Sequence, residues 1–196
     1  MIENALTAKK VSTKTKITVK GLISLLVVAL AVVLPQIAHL VAGAQSGIML
    51  LPMYLPVLVG ACLLGVKWGV CVGIASPLAS YLVTSALSDQ AMPALVRLPF
   101  MMAELAVFAV VAGLFCNKIA QNAWWTFAAV AVAAVAGRSF FMLSVVVFQN
   151  LVPFTPSIVL QQIQTGFVGL AIQIVVVPAI VGGLKMLLDD KDNNND

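Results

Sequence analysis

Charge is scarce in this chain. Asp, Glu, Lys and Arg make up 9% of its 196 residues, where an average soluble domain carries about 25%. With 62% hydrophobic residues and a mean hydropathy of +1.09, too little polar side chain remains to coat a water-soluble globule. Histidine is reduced to one residue, His39. Metal coordination wants several ligands converging, so a lone histidine at the end of an apolar run reads as an interfacial hydrogen bonder. Cys62, Cys71 and Cys116 are the only cysteines. They lie in or beside apolar segments without CxxC spacing and read as small apolar fillers, not as redox or metal groups.

Catalytic signatures are missing too. The chain has no HExxH, no GxSxG and, within its apolar runs, no pair of aspartates at helical spacing that could hold a metal. A Ser–His arrangement would have to join His39 to a distant serine. No Walker motif is present, so the chain does not power transport by itself with ATP. The expectation is a non-enzymatic protein without a cofactor.

What the chain does have is apolar runs of about 20 residues, each long enough to cross a hydrocarbon core of about 30 Å. They predict six helices, at 17–40, 49–65, 70–85, 94–116, 124–148 and 157–188, the last bent or ended early near Pro178. A tight turn is expected at 66–69 and a polar loop at 117–123. Residues 1–16 form a basic tail and residues 189–196 an acidic, Asn-rich tail of disordered composition. The apolar run after the basic tail exceeds a signal-peptide core of about 7–15 residues, so it reads as the first membrane helix. The expected fold is all-α: a polytopic membrane protein with one six-helix membrane domain over 17–188.

The net charge of +4 has a topological meaning. Five of the eleven basic residues, Lys9, Lys10, Lys14, Lys16 and Lys20, precede or open the first helix. No aromatic residue is interleaved with them, so a nucleic-acid partner is not expected. Lys67 lies in the second connection, Lys118 in the fourth, and Lys185 and Lys191 near the C-terminal end, while the first, third and fifth connections carry no Lys or Arg. That alternation follows the positive-inside rule and places both termini in the cytoplasm. Trp68, Trp124 and Trp125 fall on the basic side, as interfacial anchors do.

Ionisable groups at membrane depth are costly and mark function by default. Here they are Arg97, Glu104 and Arg138, joined by Gln161, Gln162 and Gln164. At about 1.5 Å per residue, Glu104 and Arg138 enter from opposite sides and differ in depth by about 5 Å, which predicts a buried pair between the fourth and fifth helices. One positive charge is then left over, a hint of a carboxylate- or phosphate-bearing ligand. Gln161 and Gln164, three apart, share a helix face and are candidates for a ligand-facing rim or for interhelical hydrogen bonds. The small, uncharged loop at 41–47 leads into Met49, Met53 and Tyr54, candidates for a lid over an apolar part of a ligand.

The stretch 53–80 carries a resemblance. Pro56, Val57, Leu58, Gly65, Gly69, Gly73, Ser76, Pro77, Leu78 and Ser80 stand at the spacing of a proline–glycine string in the second and third helices of some substrate-binding S components of energy-coupling factor (ECF) transporters. Gly60-Ala61 stands where that string has Ala-Gly, and Ala136-Gly137-Arg138 is similar to a segment of their fifth helix. Physically, Gly65 and Gly69 let the chain reverse, and Gly69 and Gly73 form a small-residue face for close helix contact. The resemblance implies a six-helix binding subunit of an ABC-type vitamin or micronutrient uptake system in a prokaryotic cell membrane. Its partners would be the lipid bilayer, a coupling membrane subunit, two cytoplasmic ATPase subunits and a vitamin-like ligand. Arg97, Glu104, Arg138, Gln161, Gln164, Met53 and Tyr54 are then the expected ligand-binding residues. The family often carries alanines four apart on its first helix, where the coupling subunit docks; Ala29, Ala31 and Ala38 do not make that spacing. A non-transporting scaffold or assembly subunit, and a small secondary transporter or channel, are the alternatives. The first should lack a tight ligand, and the second should work without ATPases.

Overall fold

Glycine and proline set many of the helix ends. The computed structural model of the chain describes residues 12–43, 51–87, 92–148 and 156–193, and it is helical throughout, with no strand among them. Helix α1 spans Thr13–Ala42, α2 Tyr54–Leu64, α3 Val66–Leu87, α4 Leu98–Leu114, α5 Cys116–Gln121, α6 Trp125–Phe148 and α7 Pro156–Asn193. Gly43 closes α1 and Gly65 closes α2, both with positive φ (78° and 82°), and their N–H groups donate to His39 O and Ala61 O. That left-handed conformation suits glycine. The expected lid loop beyond Gly43 with Met49, the connections at 88–91 and 149–155, and the chain ends 1–11 and 194–196 lie outside the described residues.

Among the described residues four helices are long and apolar enough to cross a membrane: Thr13–Val41, Val66–Leu87, Trp125–Phe148 and Leu160–Leu187. The chain is therefore a membrane-helix bundle. The other two expected spans appear as shorter apolar helices of 11 and 17 residues, roughly 16 and 25 Å long at 1.5 Å per residue. Helix α4 starts late because Pro99 sits in its first turn. Ahead of it, the Arg97 and Leu98 N–H groups already bond Ala94 O, so a turn precedes the helix.

Several boundaries depart from the sequence expectation. The reversal expected over 66–69 is made at Gly65 alone, and α3 begins at once at Val66, with Lys67, Trp68 and Gly69 inside it. The polar stretch expected as a loop at 117–123 is largely helical, as α5, set off from α4 by a break at Phe115. Pro178 does not end α7, which runs on past the expected limit at 188. Prolines survive inside α1, α3 and α7 (Pro35, Pro77, Pro178), as neighbouring helices and local side chains in membrane bundles allow.

Helices α1, α3, α4, α6 and α7 form an arc in that order around α2, which packs against all five. Ten of the eleven α2 residues are buried. Outward, α1 presents Leu22, Leu25, Leu26, Leu30, Val33 and Ile37, an apolar face suited to acyl chains. The close α3–α4 crossing rests on the small-residue face expected from the sequence. A Cβ on Gly73 would come within 2.8 Å of Leu105 O on α4, and one on Gly69 within 3.5 Å of Ala109 on α4 and 3.0 Å of Ala61 on α2.

One end of the bundle gathers the lysines and tryptophans. Lys118 Nζ lies 4.5 Å from the Trp125 ring centroid, and Lys185 Nζ donates to Gln121 O at 2.9 Å. A cavity of about 510 Å³ at this end is lined by Lys20, Lys67, Trp68 and Asn117 among others.

Candidate functional site

At the opposite ends of α2 and α4 three polar side chains meet inside the bundle. Arg138 Nη1 on α6 lies 2.9 Å from Glu104 Oε1 on α4, and Tyr54 Oη, on the first residue of α2, donates to Glu104 Oε2 at 2.6 Å. Glu104 is 2% exposed and Arg138 8%. The pair expected from helix rise is thus present. Its cause is steric as well as electrostatic. Glu104 and Phe108 lie four apart on one face of α4, and the Phe108 ring fills the space that a Cβ on Gly137 would need. Gly137 lets α6 approach α4 closely, and the next residue, Arg138, then reaches Glu104. Phe108 also meets the Tyr54 ring edge-on, 5.1 Å between centroids, and the Arg138 guanidinium lies 5.1 Å from the Tyr54 ring centroid. Tyrosine, carboxylate and guanidinium form one unit, in which each polar group offsets the burial of another.

The unit is incompletely satisfied. Arg138 Nε and Nη2 are buried and make no hydrogen bond among the described residues. An unmade hydrogen bond on a buried group costs about 1–3 kcal/mol, more where the group is charged. Beside this edge lies a cavity of about 140 Å³, lined by Leu51, Tyr54, Arg97, Met101, Glu104, Arg138, Phe141 and Gln162. Leu51, at its rim, holds a positive φ of 48°, unusual for a residue with a side chain. Its carbonyl is fastened by Gln173 Nε2 of α7 at 3.0 Å and by the Tyr54 N–H. Strained backbone held by its surroundings is common at ligand sites.

Of the residues expected at a ligand site, Tyr54, Arg97, Glu104 and Arg138 line this cavity. Met53 is instead packed in the core around α2. Gln161 and Gln164 do share a face, but both are exposed and neither lines the cavity; the intervening Gln162 does. Tyr54 is buried and bonded to Glu104, so it is part of the polar unit and not a loose cover. Leu51, Met101, Phe141 and the fastening residue Gln173 escaped the sequence reading. Only Gln173 carried a signal, as a lone amide within the apolar run 170–177. Among the described residues no three His, Cys, Asp or Glu side chains converge as a metal site requires. Comparison with models of protein families, with curated proteins and with solved structures gives no match to this chain.

Proposed function

We propose that this chain is the substrate-binding S component of an ECF-type uptake transporter. In this reading the cavity beside Tyr54, Glu104 and Arg138 captures a vitamin-like ligand at the outer face, and separate coupling and ATPase subunits drive its passage inward. The observation that carries the reading is a buried, charged and incompletely satisfied cavity at one end of a membrane bundle, with the lysines at the other. Buried charge is costly in a membrane protein and is kept where it serves a ligand or a pathway. The proline–glycine string at 56–80 supplies the family, and the missing Walker motif fits a subunit that borrows its ATPases.

The proposal includes six crossings, with α2 and α4 as the two short ones and both termini inside. Single cysteines introduced at Ser46, Ser88 and Asn150 should react with a membrane-impermeant maleimide added to intact cells, and those at Lys67 and Lys118 should not. External labelling at Lys118 would exclude this topology.

The functional test is co-purification and uptake. Native mass spectrometry of the gently purified chain should find a small molecule bound one to one. Co-expressed coupling and ATPase subunits should co-purify with it and confer ATP-dependent uptake on liposomes. A chain that never carries a ligand supports the scaffold alternative. Equal uptake without the ATPases supports a self-sufficient transporter.

A further inference from the structure

We infer that the cavity at the lysine-rich end of the bundle holds the phosphodiester headgroup of an anionic glycerophospholipid, with an acyl chain laid along the outward face of α3. This site adjoins the end of α2 opposite to Tyr54 and stands whatever the chain transports.

The wall of the cavity is chemically one-sided. It brings together the start of α3 (Lys67, Trp68), the end of α2 (Leu64), the α4–α5 junction (Leu114, Asn117) and Lys20 of α1. Its volume of about 510 Å³ falls within the range of about 300–1,000 Å³ that small-molecule sites occupy. Lys67 offers three N–H donors and Trp68 one, neither side chain has an acceptor, and Asn117 adds an amide. These three side chains make no hydrogen bond or ion pair with the described residues. Lys20 already has an interaction of its own, which leaves Lys67 as the lining cation that a ligand can neutralise. None of the described lining residues is acidic. A group rich in acceptors and carrying one negative charge answers this wall, and a phosphodiester is such a group.

The outward face of α3 says where that phosphodiester comes from. Lys67 is exposed and opens a stripe that continues through Cys71, Ile74, Leu78 and Leu82, all exposed. At about 100° per residue these positions lie on one face of the helix. Gly69, Val72, Gly73, Ser76 and Ser80, on the other face, are buried. The stripe is thus cationic at the cavity and apolar beyond it, over roughly 22 Å at 1.5 Å per residue. A phospholipid carries charge and apolar length in that same order, whereas a soluble phosphate would use only the first part. Leu114, 66% exposed, sets a second apolar surface beside Asn117. Trp68 belongs to the headgroup level, where indole rings anchor and their N–H groups meet polar partners.

The test uses the full-length chain in nanodiscs of dioleoyl phosphatidylglycerol and dioleoyl phosphatidylcholine in equal amounts. Native mass spectrometry reads which lipid stays on the protein when the disc is stripped away. Phosphatidylglycerol is expected to be retained at least about fivefold over phosphatidylcholine, the preference that one lysine near an anionic headgroup supports. Lys67→Gln should lower that ratio about fivefold. Asn117→Asp, which sets a carboxylate in the cavity and leaves Lys67 in place, should lower it as well. Both positions are exposed, so both variants should fold. Lys118→Gln removes the same charge from the same end, but Lys118 lies over the Trp125 ring and does not line the cavity; it should change the ratio less than about twofold. Excess inorganic phosphate should leave the lipid bound, because it lacks the apolar contact along α3. Equal retention of the two lipids, or an unchanged ratio in both Lys67→Gln and Asn117→Asp, would overturn the assignment. So would an equal loss in Lys118→Gln, which would mean diffuse attraction without a site. Displacement by inorganic phosphate would give the cavity to a soluble anion and refute the lipid.

Discussion

Glu104→Gln and Arg138→Gln, made singly, are each expected to destabilise the protein by about 3–5 kcal/mol, and the double variant by less than either. Each single change leaves the opposite charge buried without its counter-ion. Glu104→Gln strands the Arg138 guanidinium, whose other nitrogens already lack partners among the described residues. Arg138→Gln strands a carboxylate that keeps only the Tyr54 hydroxyl, 2.6 Å from Oε2. In the double variant two neutral amides face each other and the Tyr54 hydroxyl, and no charge is desolvated. Equilibrium unfolding of the four proteins in mixed micelles gives the cycle, with an expected coupling that exceeds either single loss, above about 3 kcal/mol. Additive losses would mean that the 2.9 Å approach of Arg138 Nη1 to Glu104 Oε1 stabilises nothing. Tyr54→Phe extends the experiment. It should cost about 1–3 kcal/mol in the native background, because a buried carboxylate oxygen loses its donor, and clearly less where residue 104 is already glutamine.

That pair shows how far the sequence could be read. Its depth follows from helix rise alone, because both residues lie within long apolar runs whose ends are marked by loops and tryptophans. Helix α7, the sixth of the expected spans, resists for the opposite reason. Its residues are apolar on most sides, so nothing in the pattern fixes its rotation about its own axis. Successive residues are turned by about 100°, and Gln162 faces the cavity while Gln161 and Gln164 are exposed. Tyr54 belongs to the polar unit because α2 sits in the middle of the arc, a tertiary fact with no local signature. The turn after α2 comes earlier than the sequence predicts, because Lys67 and Trp68 have the chemistry of an interface. Residues of that kind also open helices, and the positive φ of Gly65 completes the reversal in a single residue. The break at Phe115, between α4 and α5, has neither glycine nor proline at the break itself, and Gly113, two residues earlier, is helical. The small-residue face at Gly69 and Gly73 was legible because close helix contact in membranes depends on small side chains whatever the fold around them.

Adding one methyl group at Gly73, Gly113 or Gly137 is expected to be far more damaging than adding it at Gly60, although all four become alanine, a better helix former. The difference lies in what each new Cβ meets. At Gly60 the nearest atoms belong to the Val27 side chain, at 3.1 Å, and a shift of a few tenths of an ångström relieves the contact. At Gly73 the nearest atom is the backbone oxygen of Leu105, at 2.8 Å, and at Gly113 it is the backbone nitrogen of Val66, at 2.7 Å. Backbone on a packed helix does not yield unless the helices separate, and overpacking of this kind costs about 1–3 kcal/mol or more. Gly137→Ala differs in kind. Its Cβ would occupy the Phe108 ring, which lies edge-on to Tyr54 and is fully buried, so the ring must be displaced or α6 must back away. Either movement draws Arg138 from Glu104 or Tyr54 from its carboxylate. Gly137→Ala should therefore lower stability by at least about 2 kcal/mol and also weaken ligand capture, while Gly73→Ala lowers stability with a smaller effect on binding. Thermal unfolding and native mass spectrometry of the retained ligand on the four variants separate these outcomes. A Gly137→Ala protein that unfolds and binds as the native chain does would show that Phe108 and Gly137 do not set the approach of α6 to α4.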